Sequence, residues 1–167
     1  MEIDIHAMIA QAKFAQKSQP FGVSFDTLPE NFPENVPREN QMTGVSFLLA
    51  WVAKRQLLEA ETKSFLGLDG LDIAGLKQRT PIEILEALNR EFLPSHVSEP
   101  GRAFLLAYYW PGWQHSYGVD FDKVFVTEYA DPLLVKPGFA STWHVPGTWE
   151  EFEKIEPLLD LRFSEWK

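Results

Sequence analysis

Residues 41–61 read QMTGVSFLLAWVAKRQLLEAE, and their pattern of apolar residues is the strongest indication of the fold. Its apolar residues recur at helical spacing on one face, and three large residues widen that face almost all the way round: Val45, Leu48, Leu49, Val52 and Leu57, then Phe47, Trp51 and Leu58. A helix that is apolar on most sides is usually buried at the centre of a domain. We therefore predict a single central helix over 41–61.

The closing residues predict another helix. Thr148 and Glu151 have the spacing of a capping box, in which each residue satisfies a backbone N–H of the other. Helical spacing then continues on one side through Phe152, Ile155, Leu159, Phe163 and Trp166. Because Pro157 removes one backbone donor, we expect either a kink or a fresh helix start there.

Further helices lie between these two. Thr80-Pro81-Ile82-Glu83 is a second capping box, and Ser98-Glu99-Pro100 is expected to open a helix in the same way that runs to about Trp110. Asp120 is expected to cap a short helix through Val126, although 124–126 suits an extended segment as well. Residues 129–147 are rich in proline and glycine and are predicted to form a loop.

The N-terminal part divides into two segments. Residues 1–19 are predicted to contain a short amphipathic helix near 3–16, and residues 20–40 a proline-rich extended segment packed on the domain. A short strand at 22–25 is possible on this pattern. The complete prediction is a mainly α protein, with one domain over 1–167. It has five or six helices, long ordered loops and at most a minor β element.

Charge and composition narrow the classes of partner. The chain has 15 basic and 24 acidic residues, a net charge of −9, and no cysteine. This charge disfavours nucleic acid and anionic membranes as partners and favours a basic protein. The acidic N-terminus does not resemble a secretory signal, and no apolar run approaches the roughly 20 residues that span a bilayer. A cytoplasmic location is therefore expected.

The residues contain no recognisable catalytic constellation. Among the four histidines, no two have a spacing that suits metal binding on one helix, and a metal site would require His115 with Asp120 or Asp122 and His144. No metal and no cofactor is predicted. A non-enzymatic binding protein is favoured. The alternatives are a small hydrolase or transferase using His115 or His144 with nearby carboxylates, and a scaffolding subunit that binds through an apolar patch.

One segment has the composition of a contact surface. Residues 108–117 read YYWPGWQHSY, and acidic residues follow them closely. Aromatic anchors beside an acidic rim suit a basic protein partner. The predicted partner-binding residues are Trp110, Trp113, His115, Tyr117, Asp120, Asp122, Glu128 and Asp131. The alternative is that Trp110 and Trp113 fill the core beneath a loop.

Three stretches resemble a widespread family of small bacterial proteins known as a domain of unknown function. They are Leu48-Leu49-Ala50-Trp51, residues 98–109 from Ser98-Glu99-Pro100-Gly101 to Tyr108-Tyr109, and the closing TWEEFEKI…LDLRFSEWK segment. The resemblance covers about residues 20–167, and the closing segment is its most specific part. Many members carry a histidine ahead of the Leu-Ala-Trp stretch, where this chain has Thr43 and Gly44.

Members of that family often accompany polymorphic toxin and contact-dependent competition systems. The resemblance therefore implies an immunity protein that binds and neutralises a cognate toxin domain. It supplies no active-site residues, so none are assigned.

Overall fold

The computed structural model describes residues 19–22, 28, 32–110, 113–129 and 142–166. Seven α-helices occur within these ranges, which confirms the mainly α fold class. They are α1 (Thr43–Lys54), α2 (Ala60–Phe65), α3 (Ile73–Leu76), α4 (Pro81–Ala87), α5 (Gly101–Tyr109), α6 (Tyr117–Tyr129) and α7 (Trp149–Trp166), joined by 3-10 turns at Arg38–Met42, Pro94–His96 and Thr142–His144. The helix expected near 3–16 and the strand at 22–25 fall on residues outside the described ranges, except for Gly22.

Helix α1 lies at the centre, as its apolar pattern predicts. Every residue from Phe47 to Val52 is inaccessible to solvent. The Phe47 ring packs against Phe121, Phe125 and Phe152, while Trp51 packs against Phe104 and Phe163. The central helix thus joins α5, α6 and α7 into one aromatic core. Truncating one of these rings to alanine typically costs about 3–5 kcal/mol of stability.

The prediction of one helix over 41–61 is wrong at its C-terminal end. Helix α1 ends at Lys54, and Gln56 adopts a left-handed conformation with φ 60°. The next residues are held by a distant segment: the Ser98 N–H donates to the Leu57 carbonyl at 2.7 Å, and Leu58 forms an isolated antiparallel bridge with Val97. Helix α2 then begins at Ala60. Apolar periodicity does not distinguish this turn from a continuing helix.

The three capping residues predicted at Thr80, Thr148 and Ser98 have different outcomes. Thr80 and Glu83 form the expected capping box at α4. At α7, the Glu151 N–H donates to Thr148 Oγ1 at 3.3 Å, but the Glu151 carboxylate binds Lys154 instead of the Thr148 backbone. Ser98 does not cap α5, since its hydroxyl donates to the Leu57 carbonyl.

One expectation for α6 is wrong, and one of the two alternatives expected for α7, a fresh helix start, does not occur. Helix α6 begins at Tyr117, so Asp120 lies inside its first turn and is not its cap, and residues 124–126 are helical. Helix α7 continues through Pro157 without a fresh start. Proline lacks one N–H, and the helix tolerates this loss because α7 is anchored on both sides of it. Phe152 and Ile155 are buried before the proline, and Leu159 is buried after it.

Candidate functional site

We call residues 108–117 the aromatic loop. Tyr108 and His115 of this loop belong to a hydrogen-bond network that joins α5, α6 and α7. The Tyr108 hydroxyl donates to Asp120 Oδ2 at 2.6 Å. Arg162, from the closing segment, donates through Nε to the same oxygen at 2.8 Å and through Nη2 to Oδ1 at 3.2 Å. Asp120 is 2% exposed. The two parallel hydrogen bonds from a guanidinium suit a buried carboxylate.

This environment shifts two ionisation equilibria. Burial alone would raise the pKa of Asp120, but the hydrogen bonds from Arg162 and Tyr108 outweigh burial and leave that pKa below its usual range. Burial, followed by the hydrogen bond to Asp120, raises the pKa of Tyr108. Asp120 is therefore a carboxylate and Tyr108 a neutral phenol at pH 7, so the Asp120 oxygens accept hydrogen bonds from both partners.

His115 and Trp113 cover one side of this network. His115 Nε2 lies 3.3 Å from Glu165 Oε2, and Arg162 Nη1 donates to the same carboxylate at 2.9 Å. The Trp113 ring stands edge-on to His115 and to Trp166, with centroids 4.9 and 5.6 Å apart. Arginine, histidine and carboxylate thus hold the C-terminal turn of α7 against the aromatic loop.

A groove of about 540 Å³ opens beside Tyr117. Its walls come from five separate parts of the chain: Gly22, the Asn40–Val45 region, the end of α5, the start of α6 and the 3-10 turn at Thr142–His144. Tyr109, Trp110 and Trp143 supply aromatic surface, and Val119, 52% exposed, stands at the edge. We call this site the aromatic groove. Its shape and apolar walls are typical of binding sites.

Hydrogen bonds hold the walls of the aromatic groove in place. Asn40 Nδ2 donates to the Trp143 carbonyl at 3.0 Å, and Thr43 Oγ1 donates to the Val145 carbonyl at 2.7 Å. The Tyr117 hydroxyl donates to the Gly44 carbonyl at 2.6 Å, which joins the start of α6 to the first turn of α1. The groove is therefore part of the folded framework.

Among the described residues that line the aromatic groove, Asp122 carries the one carboxylate, and none is a lysine or an arginine. Burial raises the pKa of Asp122. A desolvated carboxylate next to apolar walls is stabilised by an incoming cation, which replaces the lost solvation. The groove is thus suited to an apolar group that carries a positive charge beside it.

The eight predicted partner-binding residues fall into several environments. Trp110, Tyr117 and Asp122 line the aromatic groove, whereas Trp113, His115 and Asp120 belong to the network around Arg162. Glu128 is exposed and forms an ion pair with Lys154, at 2.6 Å. Asp131 lies outside the described residues.

Burial changes the interpretation of two of these residues. Tyr117 is 4% exposed and Asp120 is 2% exposed, so only a small part of either side chain is accessible to a partner. Trp110 and Trp113 are half-buried, so they are neither fully exposed contact residues nor fully buried core residues.

Sequence reasoning missed Trp143 in the aromatic groove and Arg162 in the network. Arg162 and Glu165 belong to the LDLRFSEWK stretch, whose three-residue spacing places both on one helical face. That spacing was the available signal, although it does not identify Asp120 as the partner. No local signal in the sequence places Trp143 next to α6.

The histidines do not assemble a metal centre in the part of the chain that is described, where no group of three or more His, Cys, Asp and Glu side chains could hold a metal ion. His96 Nδ1 accepts the Leu93 N–H at 3.0 Å, and burial lowers the pKa of this imidazole. His96 is therefore a neutral structural residue. His115 does not line the aromatic groove.

A family model described as a domain of unknown function (DUF7832) matches residues 27–135. The match contains α1 to α6 and ends before the closing segment, which had been expected to be the most specific part of the resemblance. No curated protein and no solved structure matches the chain. Within the described residues, no helix combines the length and the apolar character needed to cross a membrane.

Proposed function

This chain belongs to the family described as a domain of unknown function (DUF7832), a description that names no activity, and we propose its function from its own surface. We propose that it is an immunity protein that binds a basic toxin domain and covers its active site. The observation that carries this proposal is the aromatic groove, which is lined by Tyr109, Trp110 and Trp143 together with the Asp122 carboxylate, in a chain of net charge −9.

The distribution of charge supports a basic partner. Many cationic side chains are held in ion pairs within the chain: Lys54 with Glu156, Arg55 with Asp160, Lys77 with Glu153, Arg102 with Glu59, Lys154 with Glu128 and Arg162 with Asp120. Exposed glutamates remain on the surface at positions 34, 39, 61, 86, 91 and 150. Such a surface attracts cationic proteins at long range and repels nucleic acid.

The aromatic groove supports tight binding after this encounter. Tryptophan and tyrosine are enriched among the residues that dominate binding energy, because they desolvate a large area at little conformational cost. Here the Tyr109 and Trp110 rings pack edge to face with their centroids 4.9 Å apart, so their surface is already ordered before a partner arrives. A preformed wall reduces the entropy lost on binding.

The toxin identity of the partner rests on the resemblance to proteins that accompany toxin systems. Inhibition needs no catalytic residue in the inhibitor, since covering an active site is sufficient. The network around Arg162 is consistent with this proposal, because Asp120 is buried and the ionisable groups of the network are held in hydrogen bonds to one another.

Affinity capture from the native lysate tests this function. The tagged chain is compared with Asp122→Asn and with His115→Ala, a matched variant outside the aromatic groove, at low and at high salt. We expect one stoichiometric basic protein that is retained by the wild type and by His115→Ala, and lost from Asp122→Asn and at high salt. Recovery of no such protein would contradict the proposal. So would a captured protein that is neither toxic nor inhibited by this chain.

A further inference from the structure

Phe65 is the most exposed large apolar side chain among the described residues, at 70%. It lies at the C-terminal end of α2, on the edge of a second groove of about 420 Å³. None of the residues lining this groove lines the aromatic groove. We call it the Phe65 groove. Exposure of a phenylalanine ring to water is unfavourable, so a partner that covers the ring gains binding free energy.

The walls of the Phe65 groove belong to the folded framework. Helix α4 ends at Ala87, and Asn89 and Arg90 then turn the chain in left-handed conformations, with φ 54° and 63°. Leu88, 7% exposed, lies in the floor. His96 closes the far side, where its ring stacks on Phe92 with centroids 6.3 Å apart.

The charge of the Phe65 groove is negative. Glu61 and Glu91 are exposed and line it together with Phe65. His96 adds no positive charge, because its Nδ1 accepts the Leu93 N–H and burial lowers its pKa. No lysine or arginine lines this groove in the described residues. An apolar ring and two carboxylates are therefore presented together.

We propose that the Phe65 groove is a second docking site, which binds a linear segment of a partner protein in which an apolar side chain is flanked by lysine or arginine. The apolar side chain covers Phe65 and Leu88, and the flanking cations lie against Glu61 and Glu91. Charge complementarity selects this occupant, since the two exposed carboxylates that line the groove repel an acidic segment and give a neutral one no electrostatic attraction. This site is independent of the proposed inhibition through the aromatic groove.

The experiment titrates the full chain, labelled with ¹⁵N, with a soluble peptide in which leucines are flanked by lysines. A matched peptide carries glutamate in place of each lysine. We expect amide shifts to change in residues 61–65 and 88–96 with the lysine peptide and to stay unchanged with the glutamate peptide. Affinity is expected to fall about tenfold in Phe65→Ala, and about tenfold in the double variant Glu61→Gln/Glu91→Gln at low salt.

Phe65, Glu61 and Glu91 are exposed, so these substitutions leave the core intact, and an unchanged melting temperature checks this. Asp122→Asn serves as the matched control and is expected to leave the shifts around Phe65 unchanged. Equal binding of the glutamate peptide would overturn the inference, as would the absence of any shifts or shifts confined to Tyr109, Trp110 and Asp122. The last result would still leave the aromatic groove as a binding site.

Discussion

Arg162 and Asp120 join the last helix to α6 through two nearly parallel hydrogen bonds, from Nε to Oδ2 at 2.8 Å and from Nη2 to Oδ1 at 3.2 Å. The side chains are 13% and 3% exposed. The carboxylate also accepts the Tyr108 hydroxyl, so one buried anion connects α5, α6 and α7. The packing of α5, α6 and α7 next to the aromatic loop therefore depends on the ion pair between Arg162 and Asp120.

Removing Arg162 leaves Asp120 buried without its cation. We expect Arg162→Met to lower the free energy of unfolding by about 3 kcal/mol, the cost typical of breaking one side of a buried ion pair. Urea denaturation measures this loss. In the double variant Asp120→Asn/Arg162→Met no buried charge remains, so part of the stability should return. A loss below about 1 kcal/mol for Arg162→Met would show that water replaces the guanidinium.

Acid should weaken the same pair. Because the folded state lowers the pKa of Asp120, its contribution to stability is fully present above the unfolded pKa of about 3.9 and is lost as pH falls through the lower folded value. The difference in unfolding free energy between wild type and Asp120→Asn should therefore be constant above about pH 5 and shrink in more acidic buffer. A difference that does not vary with pH would refute this assignment.

Lowering the pH should have the opposite effect on the contribution of Asp122 to stability. Burial raises its pKa, so the charged form destabilises the folded state at pH 7 and this cost disappears as pH falls through the raised pKa. We expect Asp122→Asn to raise the melting temperature slightly, by up to about 2 °C, while it weakens binding of the basic partner. A melting curve and a titration on one sample measure both effects. Lower stability together with weaker binding would indicate a structural role instead.

Two half-buried tryptophans provide a matched comparison. Trp149 Nε1 donates to the Arg79 carbonyl at 2.7 Å, whereas Trp110 Nε1 is buried and has no acceptor among the described residues. Trp149→Phe should therefore cost about 1–2 kcal/mol more than Trp110→Phe, because it leaves a carbonyl without its donor. Parallel urea titrations of both variants test the difference. Equal losses would mean that ring area alone determines the cost.

Gly147 lies in the turn that precedes α7 and packs against Ile82 of α4. A methyl group added at Gly147 would overlap Ile82 Cδ1 and Cγ1, and both residues are buried. We expect Gly147→Ala to cost about 1–3 kcal/mol through overpacking. Ile82→Val removes Cδ1, so it should be less costly in the alanine background than in wild type. Independent, additive losses in a double-mutant cycle would contradict the overlap.

Local signals in the sequence predicted part of this structure well. The Thr80–Glu83 capping box and the buried face of α1 depend on neighbouring residues, and both are present. The end of α1 was missed because it depends on a hydrogen bond between Leu57 and Ser98, 41 residues apart. The spacing of apolar residues contains no information about such a contact.

The aromatic groove was predicted only in part for the same reason. Trp110 belongs to the aromatic stretch 108–117 and Asp122 to the acidic residues that follow it, but Asn40 and Trp143 come from distant segments. The sequence predicts Asp120 as a surface acid or a helix cap, because no nearby residue points to Arg162, its partner 42 residues away. The sequence prediction therefore named part of the groove lining, Trp110, Tyr117 and Asp122, and did not include Asn40 or Trp143.

Growth rescue tests whether this chain neutralises a basic toxin through the aromatic groove. Cells that express the captured basic protein are grown with wild type, with Asp122→Asn, or with His115→Ala, at equal levels of each chain. We expect wild type and His115→Ala to restore growth and Asp122→Asn to fail to restore it. Equal rescue by Asp122→Asn would contradict the role of the aromatic groove, and failure of the wild type to restore growth would contradict the immunity function itself.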